Sequence, residues 1–126
     1  MRAADTNVLV RIIARDDPHQ TATAEAFIEK GAWVSVLALA EAIWVLAFTY
    51  KRSPDIIAGI VEQLLNHKNL TLQDSDAVTL ALDLFRARPS LGFVDCLMLQ
   101  LARKAGHLPL GTFDRALARV EGTQKL

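Results

Sequence analysis

The sequence predicts an α/β fold, a single three-layer α/β/α domain over residues 1–126 built on a short, mainly parallel sheet. Three observations carry that expectation. Short extended segments alternate with longer amphipathic ones, capping and breaking residues stand where the longer ones begin and end, and no repeat, low-complexity tract or linker interrupts the order. Strands joined by helical crossovers run parallel, because the antiparallel alternative is the one that tight hairpins serve. At 126 residues the chain is long enough to bury one core.

The elements follow in order. A strand over Arg2–Asp5 leads into a helix from Thr6 to about Ala14. Asp17 caps a second helix with Pro18 in its first turn, and Gly31 ends that helix after Lys30. Ala32–Ser35 is strand-length, and the most apolar helix of the chain spans Val36–Tyr50. Ser53 and Pro54 cap and open a fourth helix to about Asn66, and Asn69–Leu72 is the next strand. Ser75–Arg88 is helical and Pro89 breaks it; Gly92–Ala105 is helical and Gly106 closes it from just past its end. His107–Leu110 is the last expected strand, and Gly111–Asp114 turns into a short final helix.

Composition removes several classes of function. A hydrophobic content of 52% with 22% charged residues is that of a globular protein, not a disordered one. Glu41 interrupts the longest apolar stretch before it reaches membrane-spanning length, and no apolar leader precedes the first strand, so no membrane association and a cytoplasmic location are expected. The one cysteine, Cys96, excludes an internal disulfide and a cysteine-rich zinc site, and its apolar neighbours make it a packed core thiol. Fourteen basic residues balance fourteen acidic ones, so any nucleic-acid binding rests on a local patch or a metal ion.

The informative feature is a set of four carboxylates, Asp5, Glu41, Asp95 and Asp114, each the lone acid in an apolar or small-residue setting. Other acids read differently. Asp83 lies on the polar stripe Asp76, Thr79, Asp83, Arg86, opposite Val78, Leu82 and Phe85, and Glu25 and Glu29 share a polar face. Glu41 has Leu37 and Ala38 one turn before it and Trp44 and Val45 one turn after. An isolated buried carboxylate costs several kcal/mol, roughly, so four such positions call for a shared partner, and a divalent metal ion is one. Each has a local alternative. Asp5 caps the first helix, Asp114 sits in the first turn of the last, Asp95 caps the helix after Gly92, and Glu41 pairs with an arginine from elsewhere. Asp16 and Asp17 read as turn and cap, and Trp33 and Trp44 as core or interface packing.

The segments Ala4-Asp5-Thr6-Asn7-Val8-Leu9-Val10-Arg11, Ala40-Glu41, Phe93-Val94-Asp95-Cys96-Leu97 and Thr112-Phe113-Asp114-Arg115 together resemble PIN-domain ribonucleases. Within these the likeness is to VapC-type toxins of bacterial and archaeal type II toxin–antitoxin pairs, helped by Arg15-Asp16-Asp17-Pro18-His19-Gln20 downstream of the opening motif. The resemblance implies an acidic site of Asp5, Glu41, Asp95 and Asp114 that binds magnesium, or manganese in its place, and hydrolyses RNA. It implies supporting roles for Thr6, Asn7 and Thr112, a small protein antitoxin as partner, and a homodimer. Some relatives carry a further acid one turn beyond the third; here Met98 and Leu99 stand there, which leaves fewer ligands for a second ion.

The chemistry agrees with that implication. Magnesium prefers oxygen ligands and is held by few carboxylates together with substrate phosphate, which assigns Asp5, Asp95 and Asp114 as ligands. Glu41 either reaches the ion through water or orients the attacking water as a base. Arg11 and Arg15, one turn apart on the helix that follows Asp5, and Arg115 beside Asp114 are the candidates for RNA phosphate contacts. Two other functions compete: a PIN-like nuclease acting on DNA, and a catalytically weak antitoxin-binding module in a DNA-bound regulatory complex.

Overall fold

A computed structural model describes residues 1–126, and the chain divides into two compact units, Met1–Ser75 and Asp76–Leu126. The α/β class is the expected one, with six α-helices and short sheets whose strands are all parallel.

In the first unit the order is β1 (Arg2–Ala4), α1 (Thr6–Ala14), α2 (Pro18–Ile28), β2 (Ala32–Val34), α3 (Val36–Phe48), α4 (Pro54–Leu65) and β3 (Leu70–Leu72). The strands pair in the order β1-β2-β3, with Ala3 opposite Trp33 and Trp33 opposite Thr71. Each helix start has an oxygen to receive its orphan N–H groups: Asp5, Asp17, Ser35 and Ser53 accept from Val8, Gln20, Ala38 and Ile56. The core gathers where α1 packs on α3 and α3 on α4, around Leu9, Leu39, Ile43, Leu46, Val61 and Leu64, all nearly inaccessible. Thr21, buried on α2, donates to the Arg11 carbonyl at 3.2 Å and so ties α2 to α1.

The second unit runs α5 (Ser75–Ala87, whose first residue belongs to the first unit), a 3-10 turn at Pro89–Leu91, α6 (Phe93–Ala105), β4 (Leu110–Thr112), a 3-10 turn at Leu117–Arg119 and β5 (Thr123–Lys125). Its core is Val78, Ala81, Leu82 and Phe85 against Phe93, Cys96, Leu97 and Leu99, with the Phe85 and Phe93 rings edge to face at 6.1 Å. Gly106 ends α6 at φ +81, a left-handed conformation that suits glycine.

Several expectations shift. Helices α2 and α3 stop at Ile28 and Phe48, two residues short of the expected ends, and Gly31 takes its positive φ after an intervening turn. The last expected strand at His107–Leu110 instead covers Leu110–Thr112, because Pro109 has no N–H to give to a ladder. The final helix is only one 3-10 turn, and Thr123–Lys125, which carries no apolar alternation, pairs with β4 as an unexpected strand.

Neither tryptophan is in the core. Trp33 is 38% exposed because Ala32 and Val34 take the buried side of β2, and successive strand residues alternate. Trp44 is 53% exposed because Ala38, Leu39, Ala42, Ile43 and Leu46 form the buried face of α3, leaving Leu37, Glu41, Trp44 and Phe48 on the other. The Trp44 and Phe48 rings lie 5.1 Å apart on that outer face.

The two faces of α3 give a test. Leu46→Ala, at a fully buried position, should cost about 2–5 kcal/mol in urea unfolding. Phe48→Ala, which leaves no cavity and loses only the Trp44 ring contact, should cost the monomer about 0.5–1.5 kcal/mol; equal losses from the two substitutions would contradict this orientation of the helix.

Candidate active site

In the first unit Asp5 stands where β1 hands over to α1. Its extended backbone ends the strand, and its Oδ1 accepts from Val8 N at 3.1 Å. The local role is therefore real: Asp5 is a helix cap. A carboxylate has two oxygens, so the cap leaves Oδ2 for other chemistry. Thr6 follows at the first helical position, and its Oγ1 donates to Glu41 Oε2 at 3.0 Å. That bond links α1 to α3 and fixes one oxygen of Glu41. Asn7 is exposed beside Asp5. The start of α3 is itself held from two sides, with Val36 N donating to Gln73 Oε1 at 2.9 Å and Ala38 N to Ser35 Oγ at 3.0 Å.

In the second unit Asp95 lies in the first turn of α6, half-buried, while Gly92 takes the cap position at φ +79 without a side-chain bond. Asp95 is thus not the cap. An acid in a first helical turn is ordinarily favoured in its charged form. Here burial first, and the neighbouring charge of Asp114 second, hold the Asp95 carboxyl above its usual 3.8. Asp114 lies two residues beyond β4. Its backbone N–H donates to Thr112 Oγ1 at 3.0 Å, and its own Oδ1 accepts from Leu117 N at 2.8 Å. Thr112 therefore fixes the Asp114 backbone rather than a carboxylate, and Asp114, like Asp5, caps with one oxygen.

The desolvation argument from sequence holds for only one of the four acids. Asp5, Glu41 and Asp114 are exposed, the first and last because they sit at strand-to-helix junctions and Glu41 because it lies on the outer face of α3. Only Asp95 is partly withdrawn from water. Cys96 beside it is fully buried, as expected, and burial followed by the Asp95 charge pushes its thiol up to about 11.

Two of the three candidate arginines, Arg11 and Arg15, are occupied. Arg11 donates to Gln20 Oε1, to Tyr50 Oη at 3.3 Å and to Asp16 Oδ1 at 3.5 Å, and Arg15 is paired with Glu25. Asp16 does more than form a turn, since its Oδ2 also accepts from Tyr50 Oη at 2.9 Å, joining the α1–α2 connection to the end of α3. Arg115 is exposed. Lys104 of α6 binds Asp76 of α5 at 2.8 Å, which holds the Asp76 carboxyl below its usual value.

Two features escaped the sequence reading. Arg2 lies 4.1 Å over the Phe27 ring and donates to the Phe27 carbonyl at 3.0 Å, a pairing of positions far apart in sequence. Between α1 and α2 a groove of about 450 Å³ opens at Asp5, its wall reaching Arg11 on one helix and Phe27 on the other.

Neither unit by itself gathers three Asp, Glu, His or Cys side chains into a group able to hold a metal ion. The donors nonetheless suit a hard divalent cation in kind. They are carboxylate oxygens, two of which repel one another in the second unit, and such repulsion is what a bound cation relieves.

Compared with known proteins, the chain matches the family model described as PIN domain over residues 3–123, nearly its whole length. No curated protein and no solved structure shows significant similarity to it.

The Asp95 carboxyl gives a pH prediction. Because its pKa is raised on folding, the folded state holds the proton more tightly, and stability falls as pH rises from the ordinary 3.8 through the raised value. Above that window the ionised group opposes folding. Asp95→Asn should therefore melt at the same temperature as the native protein or higher at neutral pH without metal, and the difference should shrink as pH falls below 3.8. A variant that melts lower at neutral pH would show that the carboxylate supports the fold.

Proposed function

Because the chain belongs to the PIN domain family, whose members are generally nucleases that use divalent metal ions, we propose that it is a metal-dependent endoribonuclease. We propose further that it is the toxin of a type II toxin–antitoxin pair, silenced by a small protein antitoxin. The observation that carries the nuclease reading is the PIN domain match over residues 3–123, and the half-buried Asp95 beside Asp114, held above its usual pKa by burial and by that neighbour, supports it by offering oxygen ligands.

Asp5, Asp95 and Asp114 are the residues that would hold magnesium, or manganese in its place. Asp5 and Asp114 each have one oxygen committed to a backbone N–H, which orients the carboxylate and leaves the other oxygen for the ion. The ion, when bound, would lower the pKa of a water and offset the charge that grows on the phosphate oxygens. Glu41, with Oε2 held by Thr6, would use Oε1 to orient the attacking water and take its proton as the new P–O bond forms and the P–O bond opposite it breaks in line, the leaving oxygen taking a proton from solvent. Asn7 and Thr112 support the site through placement, Asn7 beside Asp5 and Thr112 through the Asp114 backbone.

The family resemblance supports RNA as substrate and an antitoxin as partner. An arginine of that antitoxin placed among the carboxylates would replace the charge of the metal and form paired hydrogen bonds. The outer face of α3 supports self-association, since Leu37, Trp44 and Phe48, 74%, 53% and 66% exposed, share one face of the helix with Glu41 among them. No helix is long and apolar enough to cross a membrane, so that face is not part of a membrane-spanning helix.

RNA cleavage measured with magnesium and with a chelator tests the reading. Cleavage should require the metal, and Asp95→Asn should lower it by at least two orders of magnitude, roughly, while the variant stays folded. Magnesium should raise the melting temperature of the native protein by mass action, and less so for the variant. Full activity of Asp95→Asn would overturn the assignment.

Light scattering at micromolar concentration should give the mass of a dimer, and Trp44→Ser with Phe48→Ser should give that of a monomer. A native monomer would dismiss the dimer.

A further inference from the structure

The groove between α1 and α2 is unassigned and opens directly on a proposed metal ligand. It is a wide-open depression of about 450 Å³ rather than an enclosed cavity, a shape that suits one face of an extended strand. Asp5 and Asn7 stand at its mouth. Val8, Ala24 and Phe27 supply an apolar lining, the surface on which the flat face of a base packs. Gln20 and Thr23 supply polar edges, and both are already oriented. Gln20 Oε1 accepts from Arg11, which leaves its amide N–H₂ to donate, and Thr23 Oγ1 donates to the His19 carbonyl at 3.0 Å, which leaves its lone pairs to accept. Arg2 is not part of the lining, but its guanidinium is fixed against one lining residue, 4.1 Å over the Phe27 ring and bound to the Phe27 carbonyl.

Apolar lining, fixed amide and hydroxyl edges, and a cation held against the lining match the parts of a nucleotide in a single strand: base face, base edge and phosphate. We propose that this groove takes the unpaired nucleotide next to the phosphate that is cut, with Gln20 and Thr23 at the base edge and Arg2 at the following phosphate. The inference rests on the ribonuclease reading for its substrate, and adds where the strand lies and which residues sense its sequence. Arg2 suits the phosphate because its stacking on Phe27 removes most of the side-chain entropy that such a contact would otherwise cost. Arg11, tied to Gln20, Tyr50 and Asp16, acts instead as a positioning residue that holds the Gln20 amide.

The test uses a fluorescent single-stranded RNA, followed by anisotropy without divalent metal and by cleavage with magnesium. Thr23→Trp fills the groove and should weaken binding by at least ~10-fold, the loss expected for one displaced stacked base, with the melting temperature unchanged. Ala26→Trp, exposed elsewhere on α2, should bind and cleave as the native protein does. Arg2→Gln should lower the slope of log affinity against log salt by ~0.7, the signature of one lost phosphate contact on a single strand. Gln20→Ala should change the base preferred next to the cut by several-fold and leave cleavage of the preferred native site measurable.

Native protein that cleaves RNA, together with Thr23→Trp and Arg2→Gln variants that bind and cleave identically, would overturn the groove and leave the ribonuclease intact. Native protein that neither binds nor cleaves RNA would overturn both. Should Thr23→Trp not fold, the salt slope of Arg2→Gln decides by itself.

Discussion

The first turn of a helix presents backbone N–H groups that have no partner within the helix, and the way this chain satisfies them sets where its acids stand. Asp5, Asp17, Ser35 and Ser53 each turn a side-chain oxygen onto such a group, and Asp114 does the same for the 3-10 turn that follows β4. Asp5 and Asp114 therefore stand just past strand ends for a structural reason that is complete in itself. In a parallel α/β fold that is also where ligands gather. One carboxylate oxygen holds the backbone and the other is uncommitted to it, so the capping role does not compete with the proposed ligand role.

Asp95 obeys a different balance. Its place in the first turn of α6 favours a negative charge, yet withdrawal from water and the proximity of Asp114 outweigh that benefit and raise its pKa. A residue chosen for stability alone would be uncharged there. The same environment makes Cys96 inert, since its thiol, pushed up to about 11 by burial and by the Asp95 charge, does not ionise near neutrality. The Phe85–Phe93 ring contact and the buried Leu97 and Leu99 belong to the core of the same unit.

Helix α3 combines two duties. Its inner face, from Ala38 to Leu46, is core, while Leu37, Trp44 and Phe48 are outside with Glu41 among them. The Thr6–Glu41 bond ties that outer face to α1, so any partner covering the apolar side chains of α3 also lies against Glu41. Nearness of this kind is how occupation of a surface becomes linked to the state of Glu41, the base in the proposed reaction.

The sequence by itself determined the element order, because its signals are local: Asp17 with Pro18, Ser53 with Pro54, Gly92 and Gly106 act within a turn of their own positions. It also singled out Asp5, Glu41, Asp95 and Asp114 through motifs that resemble those of the PIN family, and the family itself is the one the chain matches over residues 3–123. Strand β5 was not legible, because Thr123–Lys125 pairs with β4 through its backbone and has no apolar pattern. Nor was the exposure of Trp33, Trp44 and Glu41, because an apolar helix or strand does not announce which of its faces the neighbouring elements will cover. Tertiary structure decided that, as it decided the Thr6–Glu41 bond, the stacking of Arg2 on Phe27 and the groove that opens at Asp5. Each of these joins residues distant along the chain, and only the packing of one element against another brings such residues within reach.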